Sequence, residues 1–325
     1  MKIFSGIRPT GEIHIGNYLG AIKQWIELQE KNECLFCIVD LHAITTPYEP
    51  QSFQKNILDL ASTYLAVGLN PEKCIFFIQS QVKEHAELAW LLGTITPLGD
   101  LQRMTQFKEK AKKHPEYINA GLLNYPILMA ADILLYKTDL VPVGKDQQQH
   151  VELTREIARR FNKKFGEVFK EPALLLPKMG KKIMSLQSPN KKMSKTDDSS
   201  TFIGLFDEPE TIKSKIAKAV TDSGKTIKYD PKSKPGISNL LTIYSLIGDV
   251  PIKDIEKKFK GKNYAQFKKE LADLLIDKLG IFRRRKKELL TREVYIKEIL
   301  TQGRKKAQII AQSTIQEVKN KMGLG

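Results

Sequence analysis

A chain of 325 residues with 53 Lys and Arg against 37 Asp and Glu, a formal +16, is long enough for two compact units and is charged to meet an anionic partner, nucleic acid before any acidic membrane surface. No apolar run reaches the roughly 20 residues of a membrane span, and the chain opens on strand-like Lys2 to Ser5 with no room for a leader, which predicts a cytoplasmic protein without a membrane segment. Three cysteines are an odd set unsuited to a disulfide framework, and Cys34 and Cys37 lie in the strand pattern CLFCIVD, so core thiols rather than metal ligands are expected at Cys34, Cys37 and Cys74.

The first strand runs into SGIRPTGEIHIGNY, residues 5–18, a glycine-rich turn that opens a helix. Free N–H groups and the helix dipole favour an anion at such a turn, and His14 and Asn17 sit there as short donors. Leu19, Ile22, Trp25 and Ile26 then repeat at helical spacing, with Lys23, Gln24, Glu27 and Glu30 on the other side. Cys34 to Val39 reads as a strand covered on both faces. Phe53, Ile57, Leu60 and Tyr64 mark a second helix ending near Gly68 and Pro71, and Cys74 to Ile78 a third strand. Alternating strands and helices predict an α/β fold with a doubly wound, Rossmann-like parallel sheet.

From Glu84 to Tyr136 the pattern is helical, interrupted at Pro97 to Gly99 and at His114-Pro115. Within it Tyr125, Met129 and Asp132, spaced i, i+4, i+7, share one face over about 10 Å. Asp132 lies among Ala130, Ala131, Ile133, Leu134 and Leu135, and a buried carboxylate demands a partner, either a ligand or a structural Arg or Lys. TDLVPV, ending at Val143, is a further strand leading into Gly144 and a helix faced by His150, Val151, Thr154, Ile157, Ala158 and Phe161. Lys182 to Leu186 is expected as the last strand, feeding the polar loop QSPNKKMSKTDDSS.

Residues 1–186 are therefore expected as the α/β catalytic domain and 187–290 as a smaller, lysine-rich, all-helical domain. The final stretch, 291–325, carries the stripe Ala307, Ile310, Ala311, Thr314, Val318 and Met322, which needs a partner surface and is expected to return to the first domain. Arg283, Arg284, Arg285, Lys286 and Lys287 are consecutive and would spread around a helix, as a solvated face or one that meets nucleic-acid phosphates. In a parallel sheet ligands bind outside the carboxyl ends of the strands. Ser5 to Gly11, Asp40 to His42, Gly144 to Gln147 and the lysine loop follow the first, second, fourth and expected fifth strands.

Two separate stretches, His14-Ile15-Gly16-Asn17 and Lys192-Met193-Ser194-Lys195-Thr196, resemble the His-Ile-Gly-His and Lys-Met-Ser-Lys-Ser motifs of class I aminoacyl-tRNA synthetases. FSGIRPTGEIHIGNYLGAI, FCIVDLHAIT, RMTQFKEK, GLLNYPILMAADILLYKTDLVPVGKDQQQHVELTREIARRFN, KIMSLQ and PGISNLL resemble, over nearly the whole chain, the bacterial-type tryptophanyl-tRNA synthetases. The resemblance implies ATP-dependent attachment of L-tryptophan to tRNA(Trp) through an enzyme-bound adenylate, with release of pyrophosphate and AMP. It implies that Asp132 accepts the indole N–H, that Phe4, His42, Met129 and Val143 shape the apolar slot, and that Tyr125 and Gln147 hold the α-amino group. ATP would fall to Arg8, Pro9, Thr10, Gly16, Asn17, Gly144, Lys145, Asp146, Ile183 and the loop Lys192, Met193, Ser194, Lys195 and Thr196, with Lys110 at the phosphate tail. His14, Asn17, Lys192 and Lys195 would serve the chemical step, and the second domain the tRNA anticodon. A homodimer is implied as well.

Four positions depart from the commonest family pattern: Asn17 for the second His, Thr196 for the final Ser, Arg8 where Gln is frequent and Lys145 where Glu is frequent. Magnesium is expected on the ATP phosphates, because no carboxylates or histidines cluster at metal spacing, so no protein-held metal is expected. A tyrosyl-tRNA synthetase shares the architecture and both motifs, but the YPILMAAD helix argues against it. A small-molecule nucleotidyltransferase leaves the basic helical domain unexplained, and a non-enzymatic RNA-binding protein leaves the convergent polar turns unexplained.

Overall fold

Short apolar runs become strands buried on both faces, and the amphipathic stretches between them become the helices that cover them. In the computed structural model, which describes residues 1–113, 115–176, 182–194, 198–224 and 226–325, the chain begins with β1 (Lys2–Ile7), α1 (Ile15–Asn17), α2 (Lys23–Leu28), β2 (Glu33–Ile38), α3 (Asp40–Ala43) and α4 (Pro50–Val67). It continues with β3 (Cys74–Ile78), α5 (Glu84–Gly93), α6 (Leu98–Gln102), α7 (Thr105–Lys113), α8 (Ala120–Leu134), β4 (Leu140–Pro142), α9 (Gln148–Phe165) and β5 (Ala173–Leu175). Then come α10 (Pro209–Lys218), α11 (Pro235–Gly248), α12 (Ile252–Lys258), α13 (Tyr264–Leu290) and α14 (Glu293–Met322).

Two compact units result: the first holds Met1–Thr10, Trp25–Lys178 and Leu289–Gly325, the second Gly11–Gln24 and Met179–Glu288. In the first, the five strands form one parallel sheet in the order β3-β2-β1-β4-β5, with Ile3 paired to both Cys34 and Leu140 and Cys34 to Cys74. Because side chains alternate along a strand, Phe36 faces Trp25, whose ring stacks on Phe36 at a centroid distance of 5.1 Å and on Tyr64 at 5.5 Å, while Leu35 and Cys37 join the core built with Leu88, Ile127 and Ala131. All three cysteines are free and buried, and burial pushes the Cys34 and Cys74 thiols up to about 11 and about 12. Helix α14 lies against β3, where Gly303 meets the Phe76 carbonyl so closely that an added Cβ would stand 1.8 Å from that oxygen.

The second unit packs α11, α12 and α13 around an aromatic trio, Tyr244, Phe259 and Phe267, with Phe259 and Phe267 edge-on at 4.9 Å. Phe267, Leu271, Leu275 and Leu279 form the buried stripe of α13. No described helix is long and apolar enough to cross a membrane.

Three expectations are corrected. Lys182 to Leu186 is not a strand of the sheet: the fifth strand is Ala173–Leu175, and Met184 instead bridges Lys192 while the Asn239 side-chain amide satisfies both backbone groups of Met184. The helix after the first turn is not uniform, because Tyr18–Ile22 is a π-helical segment that inserts one residue between α1 and α2. Arg283 is a structural residue, donating to the Asp207 and Ile276 carbonyls; Arg284, Arg285 and Lys287 are exposed, Lys287 pairing with Glu208.

The seat of α14 is directly testable. Gly303→Ala must push the helix off β3 and is expected to lower unfolding free energy by about 3 kcal/mol, whereas Gly20→Ala, with nothing within 4 Å of its added Cβ, changes it by less than about 1 kcal/mol. Equal denaturation midpoints for the two variants would contradict the packing.

Candidate active site

With every strand parallel, the carboxyl ends share one edge of the sheet, and the residues just past them carry the polar side chains. Past β2, Asp40 accepts from the Ser80 backbone N–H at 2.9 Å and from the Ser80 hydroxyl, so the segments after β2 and β3 are tied together. Past β1, the Thr10 N–H closes a tight turn on the Arg8 carbonyl at 2.8 Å and buries Pro9. Past β4, Gly144 accepts from the Gln147 N–H. A side chain at Gly144 would strike the Asp146 carboxylate at 2.6 Å.

At this edge α8 delivers Asp132, 1% exposed, into a polar cluster walled by apolar groups. One carboxylate oxygen accepts from Gln79 Nε2 at 2.7 Å and His85 Nδ1 at 2.6 Å, and the other from His42 Nε2 at 2.7 Å. Burial alone would raise this carboxyl, but charge and hydrogen bonding from His42 and then His85 outweigh it and hold Asp132 well below the usual carboxylate range. An ionised carboxylate has about four acceptor directions. Three protein donors therefore leave room for one more N–H. His85 Nε2 continues to the Tyr136 hydroxyl at 2.7 Å, and Phe4 stacks on Tyr136 at 5.6 Å. Met129 and Val143 are half-buried beside the same core.

About two turns before Asp132 on α8, the Tyr125 hydroxyl meets His150 Nε2 at 2.8 Å, and its ring stands edge-on to His42 at 6.1 Å. Burial, reinforced by the charge of Lys110, pulls His150 down to about 4, so the imidazole is neutral at physiological pH. Lys110 of α7 rests 4.0 Å from the Tyr125 ring centroid. Burial and the charge of Arg8 lower its ammonium to about 8, against the ring face, which favours the cation. Gln147 donates to Asp146 at 2.7 Å rather than to Tyr125.

In the second unit the turn before α1 is closed by reciprocal caps: Asn17 N–H donates to His14 Nδ1 at 3.3 Å and His14 N–H to Asn17 Oδ1 at 3.1 Å. His14 Nδ1 is thus an acceptor, so donation by the buried ring falls to Nε2, and donation by Asn17 to its amide nitrogen. His14 also bridges Gly204, and Ile15 N–H reaches the Ile203 carbonyl. Met193, 3% exposed, brings the lysine loop to this turn, since a Cβ on Gly16 would lie 3.6 Å from its sulfur. The Ile183 carbonyl accepts the Met193 N–H, and Lys192 stands exposed. Lys195, Thr196 and the Lys145 side chain lie outside the described residues.

Of the residues expected to hold tryptophan, the fold brings Asp132, His42, Phe4 and Tyr125 together. Three members of the cluster were not foreseen: Gln79, His85 and Tyr136. The signal for Gln79 was the strand-end rule, applied after the first, second and fourth strands but not the third. For His85 it was a lone imidazole near the start of the helical stretch EHAELAWLL.

The family model for tRNA synthetases class I (W and Y) matches residues 1–280. A tryptophan–tRNA ligase of Caldanaerobacter subterraneus subsp. tengcongensis is 52% identical over 99% of this chain and 98% of its own, and that of Bacillus subtilis is 50% identical over the same shares. The crystal structure of a tryptophanyl-tRNA synthetase from Campylobacter jejuni, complexed with ADP and tryptophan, superposes with a TM-score of 0.88 at 36% identity over 100% of both chains. Matched over most of its length by the family model and at half identity by such relatives, the chain belongs to the class I tRNA synthetases of the tryptophan and tyrosine family.

Proposed function

We propose that the chain is a tryptophan–tRNA ligase, joining L-tryptophan to tRNA(Trp) at the expense of ATP. One observation carries the substrate choice: a fully buried, ionised Asp132 with one acceptor direction left beside an apolar slot, matched to a flat heteroaromatic that offers a single ring N–H. The half-identical relatives bear the tryptophan name, which favours this reading over the tyrosine branch.

In the reaction the tryptophan carboxylate oxygen bonds to the α-phosphorus as the bond to the pyrophosphate oxygen breaks; the terminal tRNA hydroxyl then attacks the aminoacyl carbonyl and AMP leaves. The protein positions the reactants and stabilises spreading phosphate charge. Asp132 takes the indole N–H, Phe4, His42, Met129 and Val143 shape the slot, and Tyr125 and Gln147 take the α-amino group. His14 and Asn17 serve the α-phosphate and ribose, Lys192 and Lys195 the departing pyrophosphate, and Lys110 the phosphate tail. Arg8 to Thr10, Gly144 to Asp146, Ile183, Met193, Ser194 and Thr196 complete the nucleotide contacts. Magnesium enters on the ATP phosphates; among the described residues no three His, Cys, Asp or Glu gather at metal-binding spacing. The lysine-rich residues 187–290 serve the tRNA, whose phosphates attract such charge. Exposed Trp90 and Leu98, 76% and 57% accessible, support a homodimer in which a second copy covers them. The cytoplasm is the proposed location.

ATP–pyrophosphate exchange, run with each standard amino acid, tests the function: exchange is expected with tryptophan, and exchange driven by tyrosine alone would overturn the reading. Asp132→Asn removes the charged acceptor and is expected to lower kcat/KM for tryptophan roughly 100-fold and to erode discrimination against phenylalanine and tyrosine. Intact selectivity would make Asp132 structural.

Lys110 adds a pH dependence with a definite sign. Its lowered folded-state value means that the positive charge is present below about 8 and lost as pH rises through it, so kcat/KM for ATP is expected to fall between pH 7 and 9. Lys110→Arg, charged throughout, should abolish the fall; an unchanged profile would remove Lys110 from the nucleotide's charge partners.

A further inference from the structure

His85 touches nothing that the proposed reaction changes, yet it is wholly buried and both ring nitrogens are engaged, Nδ1 with Asp132 at 2.6 Å and Nε2 with Tyr136 at 2.7 Å. Phe77 and Tyr136 hold its ring at centroid distances of 5.9 and 5.5 Å, and its backbone N–H is fixed to the Val82 carbonyl at the start of α5. An ionised carboxylate accepts only, so Nδ1 must carry a proton towards Asp132, while Nε2 is held by the Tyr136 hydroxyl. With Gln79 on the same oxygen and His42 on the other, the carboxylate cannot turn without breaking a bond.

We propose that His85, held by Tyr136, is the positioning residue for Asp132, fixing the carboxylate so that its one remaining acceptor direction meets the indole N–H. The proposal deepens the tryptophan reading and rests on Asp132 being the indole acceptor. The titratable groups facing Asp132 are His42 of α3, His85 of α5, Cys37 of β2 and Tyr136; Asp40 also acts on Cys37, and Glu84 on Tyr136. Burial keeps the Cys37 thiol and the Tyr136 phenol well above their ordinary ranges, so neither ionises in an assay at pH 5–8.

Two amides separate positioning from packing, because each removes the ring. His85→Asn places its nitrogen where Nδ1 stood and keeps the donor to Asp132; His85→Gln places it where Nε2 stood and keeps only Tyr136. If His85 positions Asp132, His85→Gln lowers kcat/KM for tryptophan roughly 10- to 100-fold more than His85→Asn does, with KM for ATP alike in both. Loss of a donor also raises the Asp132 carboxyl, so His85→Gln gains an acid limb in kcat/KM for tryptophan, absent from His85→Asn. Equal losses and equal pH profiles in the two variants overturn the proposal. Should His85→Gln not fold, Tyr136→Phe replaces it: a 3- to 10-fold drop in selectivity for tryptophan over phenylalanine, roughly the share of one neutral hydrogen bond, is expected, and unchanged selectivity overturns the proposal. Asp132→Asn run alongside tells the two failures apart. If it leaves selectivity intact, the indole reading falls and takes the proposal with it; if it erodes selectivity while the His85 pair behaves alike, only the proposal falls.

Discussion

A carboxylate taken out of water must be given donors, and the placement of Asp132 follows from that need. In a low-dielectric core an unpaired charge would neutralise instead, and the carboxylate and the donors that prevent this come from three different parts of the chain. His42 follows β2, Gln79 and His85 follow β3, and α8 carries Asp132 itself, so the cluster exists only because the parallel sheet sets β2 beside β3 and delivers their carboxyl ends to one edge. The Asp40 to Ser80 link fastens the same two strand ends a few residues away. The sheet order and the site chemistry are thus one constraint.

The two halves of the proposed chemistry use opposite electrostatic means. Around tryptophan, a fixed anion screened from solvent reads a single N–H, and its selectivity comes from the cost of leaving that anion short of a donor. Around the phosphates, cations are kept where their charge can be committed when the nucleotide arrives. Lys110 over the Tyr125 ring, with its affinity for a proton lowered by burial and by Arg8, is such a cation, and a phosphate would restore what desolvation removed. In the second unit the glycine turn and the lysine loop, far apart in sequence, meet through Gly16 and Met193, with His14 and Asn17 spending part of their hydrogen-bonding capacity on each other to hold the turn.

Much of the fold was legible because the strands are covered on both faces and read as uninterrupted apolar runs, as in Cys34 to Ile38 and Cys74 to Ile78. The fifth strand was missed because Ala173–Leu175 is only three residues at a sheet edge, while the more strand-like Lys182 to Leu186 finds its partners in a side-chain amide and a short bridge. Asp132 was recognisable as a carboxylate in an apolar helix, but its donors were not, since nothing in the order of residues says that Gln79, His85 and Tyr136 converge on it. Arg283 misled for a related reason: in a run of five basic residues one was spent on two backbone carbonyls, which only the packing of α13 reveals.

The central claim is that Asp132 is an ionised, immobile acceptor whose last free direction belongs to the indole. A crystal structure with tryptophan bound measures this most directly, through the separation between the indole nitrogen and the nearer Asp132 oxygen. The account requires a direct hydrogen bond of about 2.7–3.2 Å, with the contacts from His42, Gln79 and His85 all retained. An indole nitrogen turned to another group, or an Asp132 that swings away from its three donors to reach it, would contradict the account.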